Sequence, residues 1–297
     1  MQRELIKRLE SINNLPTLPA VIENLADALQ DPEVDVEQIA GIIEDDPAIM
    51  ARIMKVVNSS IYLGVRETMS LRRAIVRLGF RAVTNIAMSA AVFSTFPPSA
   101  GARFDRAGFW KHCICTGVAA EVVNRQAAGL QAPVKIDKDA LHLCGLLHDI
   151  GKIIFEQHFH DLFMEALEMS RKQQIPLTEA EFRVLGVDHA QAGAWLARTW
   201  NLSEDVTSVI RWHHSPEGAN GKIQEVVRIC SLADLVVNAG GLGRGGNGFN
   251  KPEEELAAEF DLGAEDLLKI INLTESGAAE SPLLEMFESQ GSGAPQV

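Results

Sequence analysis

Apolar residues recur along most of this chain with the spacing of one face of an α-helix, and not with the strict alternation of a half-buried strand. The first clear case follows Pro19, where five apolar positions share this spacing: Val21, Ile22, Leu25, Ala28 and Leu29. No window sustains a strand pattern, and the predicted helices are short, with short links between them. The sequence therefore predicts an all-α protein folded as a compact multi-helix bundle.

Capping residues and helix breakers set the boundaries of the first helices. Asp35 precedes one apolar-periodic segment, and the pair Asp46-Pro47 precedes the next, with a cap directly before proline at the first helical position. Ser70 opens another predicted helix, and Gly79 ends it. The N-terminal part of the chain is thus predicted to be a set of short helices.

Residues 96–101, which include two prolines, are the clearest internal break. Further helices are predicted at about 81–95, 105–128, 138–155, 158–173, 178–184, 188–200, 204–214, 222–239 and, as a pair, within 253–273. We therefore divide the chain into an N-terminal helical part (1–100), a helical core (101–275) and a tail (276–297). The tail drifts towards Ser, Gly, Pro and Gln, a composition typical of flexible termini.

Glycine makes up six of the nine residues at 240–248. A phosphate-binding loop would need a strand before it and a Lys-Ser or Lys-Thr ending, and the sequence offers neither. The segment is therefore predicted to be a flexible connector.

Composition and charge exclude some classes of function. The chain has 297 residues, 46% of them hydrophobic, which is enough for one large core or two small ones. Its formal net charge of −13 argues against a nucleic-acid partner, because binding a phosphate backbone requires concentrated lysine and arginine. One local run of arginines is either a solvated helix face or a surface for an acidic or phosphorylated partner. It comprises Arg66, Arg72, Arg73, Arg77 and Arg81.

The start of the chain and its cysteines favour a cytoplasmic protein without membrane contact. The first ten residues are charged and lack the apolar region of a signal peptide. No segment approaches the ~18 uninterrupted apolar residues of a membrane span. The cysteines form no Cys-x-x-Cys pair, and buried thiols in a reducing compartment explain them best. They are Cys113, Cys115, Cys144 and Cys230.

The first candidate for chemistry is the adjacent pair His148 and Asp149, which follows an apolar run in a predicted buried helix. A buried carboxylate is costly unless a cation, a strong donor or a metal ion compensates its charge. An imidazole beside a carboxylate is a natural ligand set for manganese, iron or zinc ions. The alternatives are a hydrogen-bonded core pair without metal, or an aspartate that caps a helix. Cys144, one turn earlier, could add a thiolate or simply pack in the core.

Further polar residues interrupt apolar patterns on other predicted helices or at helix ends. They are His112, His189, His213, His214 and Asp234. Together with the first pair they could converge on one interior point, as metal ligands in helical bundles do. Without metal, His112 and Asp234 would satisfy each other in the core. The adjacent pair His213-His214 would then cap the negative end of a helix dipole.

The order of His112, the pair His148-Asp149 and Asp234 resembles the H…HD…D signature of the HD phosphohydrolase superfamily. The resemblance implies a helical bundle in which these residues hold divalent metal, with Asp149 bridging two ions if two are bound. Iron, manganese, zinc, magnesium and nickel all stay open. Such ions lower the pKa of a bound water and clamp a phosphate oxygen, so the implied reaction is hydrolysis of a phosphomonoester or phosphodiester.

Other positions are similar to the HD-GYP branch of that superfamily, which hydrolyses cyclic dinucleotides. His189 and the pair His213-His214 match its additional metal ligands, and Lys152 matches the lysine that this branch places near the scissile phosphate. The resemblance thus implies catalytic roles for Asp149 and Lys152. From the residues alone, a cation near the C-terminal end of a helix is an equal alternative for Lys152.

Departures from that branch narrow what the resemblance implies. Residues 215–222 read SPEGANGK, without the Gly-Tyr-Pro from which the branch takes its name, and this argues against a cyclic dinucleotide substrate. Gly108 stands where some members carry a glutamate that binds a third metal ion. A third ion is therefore not expected.

The N-terminal third is similar to the HDOD family. The segments that carry this resemblance are LPTLP at 15–19, DDPA at 45–48, VVNSSIY at 56–62 and SLRRAIVRLG at 70–79. With the HD-type positions, the matches span about residues 12–240. The HDOD resemblance implies a regulatory module of signal transduction that works through contacts with signalling proteins.

Two functions are therefore expected. The first is an HDOD-type regulatory module that retains an HD-type metal site and acts mainly through protein interactions, with a phosphorylated or nucleotide ligand as a further option. The second is an active metal-dependent phosphohydrolase, so the question of enzyme activity is open. The HDOD-like N-terminal part and the missing Gly-Tyr-Pro favour the first function, whereas the intact ligand set favours the second.

Overall fold

The computed structural model describes residues 20–28, 31, 33–57, 70–96, 104–127, 138–246, 262–281 and 283–284. Over these ranges the chain forms α-helices and one short 3-10 helix, and no strand occurs within them. The all-α fold predicted from the periodicity is therefore confirmed.

The helices are numbered here in chain order. They are α1 (Ala20–Ala28), α2 (Val36–Glu44), α3 (Pro47–Val57), α4 (Leu71–Leu78), α5 (Phe80–Thr95), α6 (Arg106–Ala127), α7 (Lys138–Leu147), α8 (Ile150–His158), α9 (His160–Gln173), α10 (Leu177–Leu185), α11 (His189–Thr199), α12 (Glu204–Trp212), α13 (Lys222–Ala239) and α14 (Ala264–Ala279). The 3-10 helix, Pro216–Gly218, lies between α12 and α13.

Contacts between residues divide the chain into two compact units. One comprises residues 16–97 and 279–297 and carries α1–α5. The other comprises the described residues within 98–278 and carries α6–α13 and all of α14 except its last residue. The two are described separately below.

In the α1–α5 unit, the helix ends follow from the caps that the sequence predicts. Asp35 forms a capping box at the start of α2. The Oδ1 atom of Asp46 accepts hydrogen bonds from the backbone N–H groups of Ala48 and Ile49 at the start of α3, each at 3.0 Å. Gly79, with φ of +89°, separates α4 from α5 in a conformation that favours glycine.

The described part of the arginine run lies on the surface of the same unit. Arg72 pairs with Glu37 at 2.7 Å and with Glu44 at 2.6 Å. Exposed pairs of this kind contribute about 0–1 kcal/mol each. Arg73 and Arg77 are exposed. Arg66 and the side chain of Arg81 lie outside the described residues.

In the α6–α14 unit, the long helix α6 packs against α7 and α13. Two close crossings fix the segment between α7 and α8. A Cβ atom on Gly145 of α7 would lie 2.7 Å from the Cα atom of Gly117 in α6. A Cβ atom on Gly151 of α8 would lie 2.0 Å from the carbonyl oxygen of His189 in α11. Only glycine permits such approaches of two backbones.

The helix predicted over 138–155 is in fact two helices. The chain turns at His148 and Asp149, and α8 begins at Ile150. The pair therefore lies in a buried break between helices and not inside one helix. Asp149 is the cap residue of α8 but makes no capping hydrogen bond with its side chain, which is directed elsewhere.

The C-terminal helix α14 extends beyond residue 275, where composition places the start of the tail. It runs to Ala279, and both Thr274 and Ala278 are buried. The first residues assigned to the tail are therefore helical. The predicted helix at 253–261 and the last residues, 285–297, lie outside the described part of the chain.

No single described helix is long and apolar enough to cross a membrane. Within the described residues, two consecutive helical segments taken together match a membrane span in length and composition. They are Leu71–Leu78 and Ala82–Val92, and the chain bends by 117° between them.

Substitution of Gly151 by alanine tests the close crossing of α8 and α11. The new methyl group would overlap the His189 carbonyl and come within 2.7 Å of the Gly193 nitrogen. Overpacking of this kind costs about 1–3 kcal/mol, so we expect urea denaturation to show a free energy of unfolding about 2 kcal/mol lower. Gly41→Ala in α2 is the control, because a Cβ there meets nothing within 4 Å. It should gain about 0.5–1 kcal/mol. Similar effects of the two substitutions would contradict the prediction.

Candidate metal centre

Four helices and the break between α7 and α8 bring the seven predicted metal ligands into one centre. They are His112 on α6, His148 and Asp149 in the break, His189 at the start of α11, His213 and His214 after α12, and Asp234 on α13. All of these residues except His214 are buried. The convergence expected from the sequence is thus present, while the ligand role of each residue stays a prediction.

One half of the centre, called here the inner group, consists of His112, His148, Asp149 and Asp234. The Nε2 atom of His112 lies 3.1 Å from Asp234 Oδ1 and 3.5 Å from Asp149 Oδ2. The Nε2 atom of His148 lies 3.3 Å from Asp149 Oδ2 and 3.5 Å from Asp234 Oδ1. Two imidazole nitrogens thus face two carboxylates across a small polar space.

The other half, called here the outer group, consists of Asp149, His189, His213 and His214. Asp149 uses its second oxygen here, since Oδ1 lies 3.1 Å from His189 Nε2 and 3.6 Å from His213 Nε2. The Nε2 atoms of His189 and His214 are 2.9 Å apart. The candidate ligand atoms of this group lie within 4.8 Å of one another, as do those of His112, His148 and Asp149. Asp149 therefore belongs to both halves.

Backbone carbonyls orient two of the imidazoles. The Nδ1 atom of His148 lies 2.6 Å from the carbonyl oxygen of Gly145, and that of His213 lies 3.0 Å from the carbonyl oxygen of Ile210. Because Nδ1 must carry the proton to donate to a carbonyl, Nε2 is the ring nitrogen that faces the centre with a lone pair when the ring is neutral. This arrangement suits a metal ligand.

Cations around them keep both aspartates ionised. Burial alone would raise the pKa of Asp149, but the charges of His148 and Lys152 and a hydrogen bond with His112 hold that pKa well below its usual range. Burial would also raise the pKa of Asp234, and hydrogen bonds with His112 and His148 hold it well below its usual range. Both carboxylates are therefore anionic at neutral pH and able to bind a cation.

The histidines respond to the same charges in different ways. Burial lowers the pKa of His148, but the nearby carboxylates, Asp149 first, outweigh it and raise that pKa to about 10. Burial also lowers the pKa of His189, but the carboxylates of Glu181 and Asp149 together outweigh it and raise that pKa to about 9. Burial leaves the pKa of His213 lowered. A metal ion would therefore displace protons from His148 and His189 when it binds.

Lys152 is fully buried beside Asp149. Its Nζ atom donates to Asp149 Oδ2 at 2.5 Å and to the carbonyl oxygen of Gly245 at 2.7 Å. Lys152 is the third residue of α8, so the interpretation of this residue as a C-terminal helix cation is wrong. Its proximity to the centre agrees with the implied catalytic position, and its catalytic role stays a prediction.

Cys144 does not add a ligand to either group. A hydrogen bond with Cys230 and burial raise the pKa of the Cys144 thiol well above its usual value. The residue is therefore a protonated core thiol, as the simpler of the two sequence interpretations has it.

Glu181 on α10 is a residue of the centre that sequence reasoning missed. Its Oε2 atom accepts hydrogen bonds from the backbone N–H of His189 at 2.9 Å and from the ring Nδ1 of the same residue at 2.7 Å. The available signal was its position on the apolar face of α10, four residues after Leu177 and four before Leu185, both buried. A carboxylate at such a position needs a partner.

Residues 243–246, called here the glycine strap, lie against α6, although the sequence predicts a flexible connector. The backbone N–H of Arg244 donates to the carbonyl oxygen of Gly108 at 2.8 Å. A Cβ atom on Gly243 would lie 2.4 Å from the backbone nitrogen of His112, and one on Gly245 would lie 3.0 Å from His112 Nε2. Close approach to α6 thus requires glycine at position 243 and leaves little room for a Cβ atom at position 245.

The strap also explains the absence of an acidic residue at position 108. A Cβ atom on Gly108 would lie 2.5 Å from Asp105 Oδ2 and 2.9 Å from the Cβ atom of Arg244. The space that a glutamate side chain would enter is already filled.

The fold and the centre together define an all-helical protein of the HD type, with histidines and aspartates in the order H…HD…D around one buried point. The sequence model of the HDOD domain matches residues 15–216, more than half of the chain. The chain therefore belongs to the HDOD domain family.

A curated relative is an uncharacterized protein of Treponema pallidum, 25% identical over 228 residues. The match covers 77% of this chain and 43% of that protein, so the matched segment spans less than half of that relative.

Solved structures share the fold. An HDOD domain protein of unknown function from Geobacter sulfurreducens is 22% identical, with a TM-score of 0.73 and coverage of 98% of this chain and 94% of that one. A candidate signal transduction protein from Marinobacter aquaeolei is 20% identical, with a TM-score of 0.75 and coverage of 97% and 66%. A candidate metal-dependent phosphohydrolase from Shewanella amazonensis is 22% identical, with a TM-score of 0.60 and coverage of 93% and 97%.

Substitution of Gly243 by alanine tests the packing of the strap on α6. Gly243 has φ of +95°, and Gly241, the matched control, has φ of +63° with nothing within 4 Å of a Cβ. Both alanine variants pay the cost of a left-handed backbone, about 1–2 kcal/mol. Gly243→Ala adds an overlap with His112, so we expect its free energy of unfolding to fall by a further 1–3 kcal/mol or so. Equal losses in urea denaturation would show that the strap does not pack on α6.

Proposed function

We propose that this chain is a cytoplasmic HDOD-type regulatory module of signal transduction, with a divalent metal centre, that acts mainly through contacts with signalling proteins. The observation that carries this proposal is the enclosure of a complete ligand set. Six of the seven residues are buried, and His214 is the exception. A substrate would have to reach the ions past that enclosure.

The donor set fits a divalent metal. Imidazole nitrogens and carboxylate oxygens suit manganese, iron, zinc and nickel, whereas magnesium prefers oxygen ligands. The Nε2 atom of His213 is buried and makes no hydrogen bond to any described residue, as expected of an atom reserved for a metal. The inner and outer groups share Asp149, which supports two ions bridged by that residue.

A bound ion of this kind would supply an acidified water and a positive charge for a phosphate oxygen. Asp149 would orient the ions through its two oxygens. Lys152, however, is held by Asp149 and by the strap carbonyl of Gly245. To reach a phosphate, its ammonium group would have to leave a buried hydrogen bond, which is costly. This constraint supports a regulatory role over turnover.

The second candidate is a metal-dependent phosphohydrolase acting on a phosphorylated or nucleotide ligand. The observation that favours it is the completeness of the centre, in which a buried ammonium group, that of Lys152, lies beside the carboxylate shared by both groups. His214 is exposed and gives the outer group an edge towards solvent. A phosphate could approach from that edge.

Metal content and hydrolysis, measured on the wild type and Asp149→Ala, separate the two candidates. We expect the wild type to bind divalent metal stoichiometrically and Asp149→Ala to lose it, because Asp149 contributes an oxygen to both groups. We expect hydrolysis of bis(p-nitrophenyl) phosphate in added Mn²⁺ to be no faster for the wild type than for Asp149→Ala.

Asp161→Ala is the control, since Asp161 is an exposed carboxylate on α9 and should leave the metal content unchanged. Hydrolysis that requires Asp149 would make the chain a phosphohydrolase. Wild-type protein that binds no metal would refute both candidates in the form stated here.

A further inference from the structure

The connection between α10 and α11 places a carboxylate directly behind one histidine of the outer group. Gly186, with φ of +81°, ends α10 and turns the chain. This turn places the side chain of Glu181 next to His189. The Oε2 atom of Glu181 lies 2.9 Å from the backbone nitrogen of His189 and 2.7 Å from its ring Nδ1 atom. Both residues are 0% exposed, so water does not compete for these bonds.

This contact decides which nitrogen of His189 faces the centre. A carboxylate accepts hydrogen bonds and cannot donate one, so Nδ1 carries a proton and points away from the other ligands. The Nε2 atom then faces Asp149 Oδ1 at 3.1 Å and His214 Nε2 at 2.9 Å. A carboxylate behind a ligating imidazole also makes the ring a stronger donor to a metal.

Stability of the helix start does not account for Glu181. Asp188 already caps α11, accepting a hydrogen bond from the Gln191 backbone at 2.7 Å in a complete capping box. The second oxygen of Glu181, Oε1, is buried and makes no hydrogen bond to any described residue. Burial of such a carboxylate is unfavourable for folding alone.

We propose that Glu181 is a positioning residue that holds His189 as a ligand for the divalent ion of the outer group. The inference rests on the metal centre proposed above and deepens it. Among the described imidazoles of the centre, His189 is the one whose Nδ1 meets a carboxylate, whereas those of His148 and His213 meet backbone carbonyls. Loss of this carboxylate therefore affects the outer group selectively.

Titration of metal-free protein with Mn²⁺, with free Mn²⁺ counted by electron paramagnetic resonance, tests the inference with Glu181→Gln. The amide oxygen can still accept the bonds from His189, so the fold is retained while the negative charge is lost. We expect one class of bound Mn²⁺ to weaken by about 10–100-fold and the other to keep its affinity. The matched control is Glu179→Gln on the same helix, which removes an exposed carboxylate paired with Arg183 and should bind Mn²⁺ as the wild type does.

The outcomes separate the two levels of the proposal. Absence of Mn²⁺ binding by the wild type would refute the proposed metal centre itself. Normal binding by both the wild type and Glu181→Gln would leave the centre in place and overturn the role of Glu181. Equal weakening of both Mn²⁺ classes, with a lower melting temperature of the metal-free variant, would also overturn it, because that pattern reports a structural role.

Discussion

The charge of the Asp149 carboxylate is the constraint on which the rest of the centre depends. The group is buried inside a helical shell, where an isolated charge would cost several kcal/mol. Its Oδ2 atom faces Lys152 and the inner-group imidazoles, and its Oδ1 atom faces His189 and His213. The charges of His148 and Lys152 contribute most to keeping the carboxylate ionised, and the other partners come from helices in distant parts of the chain.

Short side chains can meet at one point only if the backbones that carry them come close together. Glycine provides that approach at Gly145 and Gly151, on either side of the break that holds His148 and Asp149. The glycine strap follows the same rule where Gly243 approaches the backbone of His112. The break itself has a related cause. A continuous helix would direct adjacent side chains about 100° apart, whereas a turn at the pair allows both to face the centre.

The sequence predicts those features of the structure that depend on residues close together in the chain. Helical periodicity and the caps at Asp35 and Asp46 are of that kind, and all appear in the structure. The missed features depend on contacts between segments far apart in sequence. Glycines at 243–246 are ambiguous from composition, because flexibility and close packing both select glycine. In the sequence Glu181 looks like an ordinary helical residue, and its role becomes visible only when the structure places it beside His189.

The burial of the ligand set distinguishes a regulatory module from a phosphohydrolase better than the identity of the ligands does. The same imidazoles and carboxylates serve an ion that organises a fold and an ion that activates water. Turnover additionally requires a free cation for the phosphate and a path for the substrate. Here Lys152 is hydrogen-bonded to Asp149 and to the strap, and His214 is the exposed residue among the seven. An ion that binds only the folded centre raises the free energy of unfolding. At an ion concentration one hundred times the dissociation constant, this stabilisation is about 2.7 kcal/mol. That stabilisation requires no substrate path, because the ion acts only by holding α6, α8, α11 and α13 in a single arrangement.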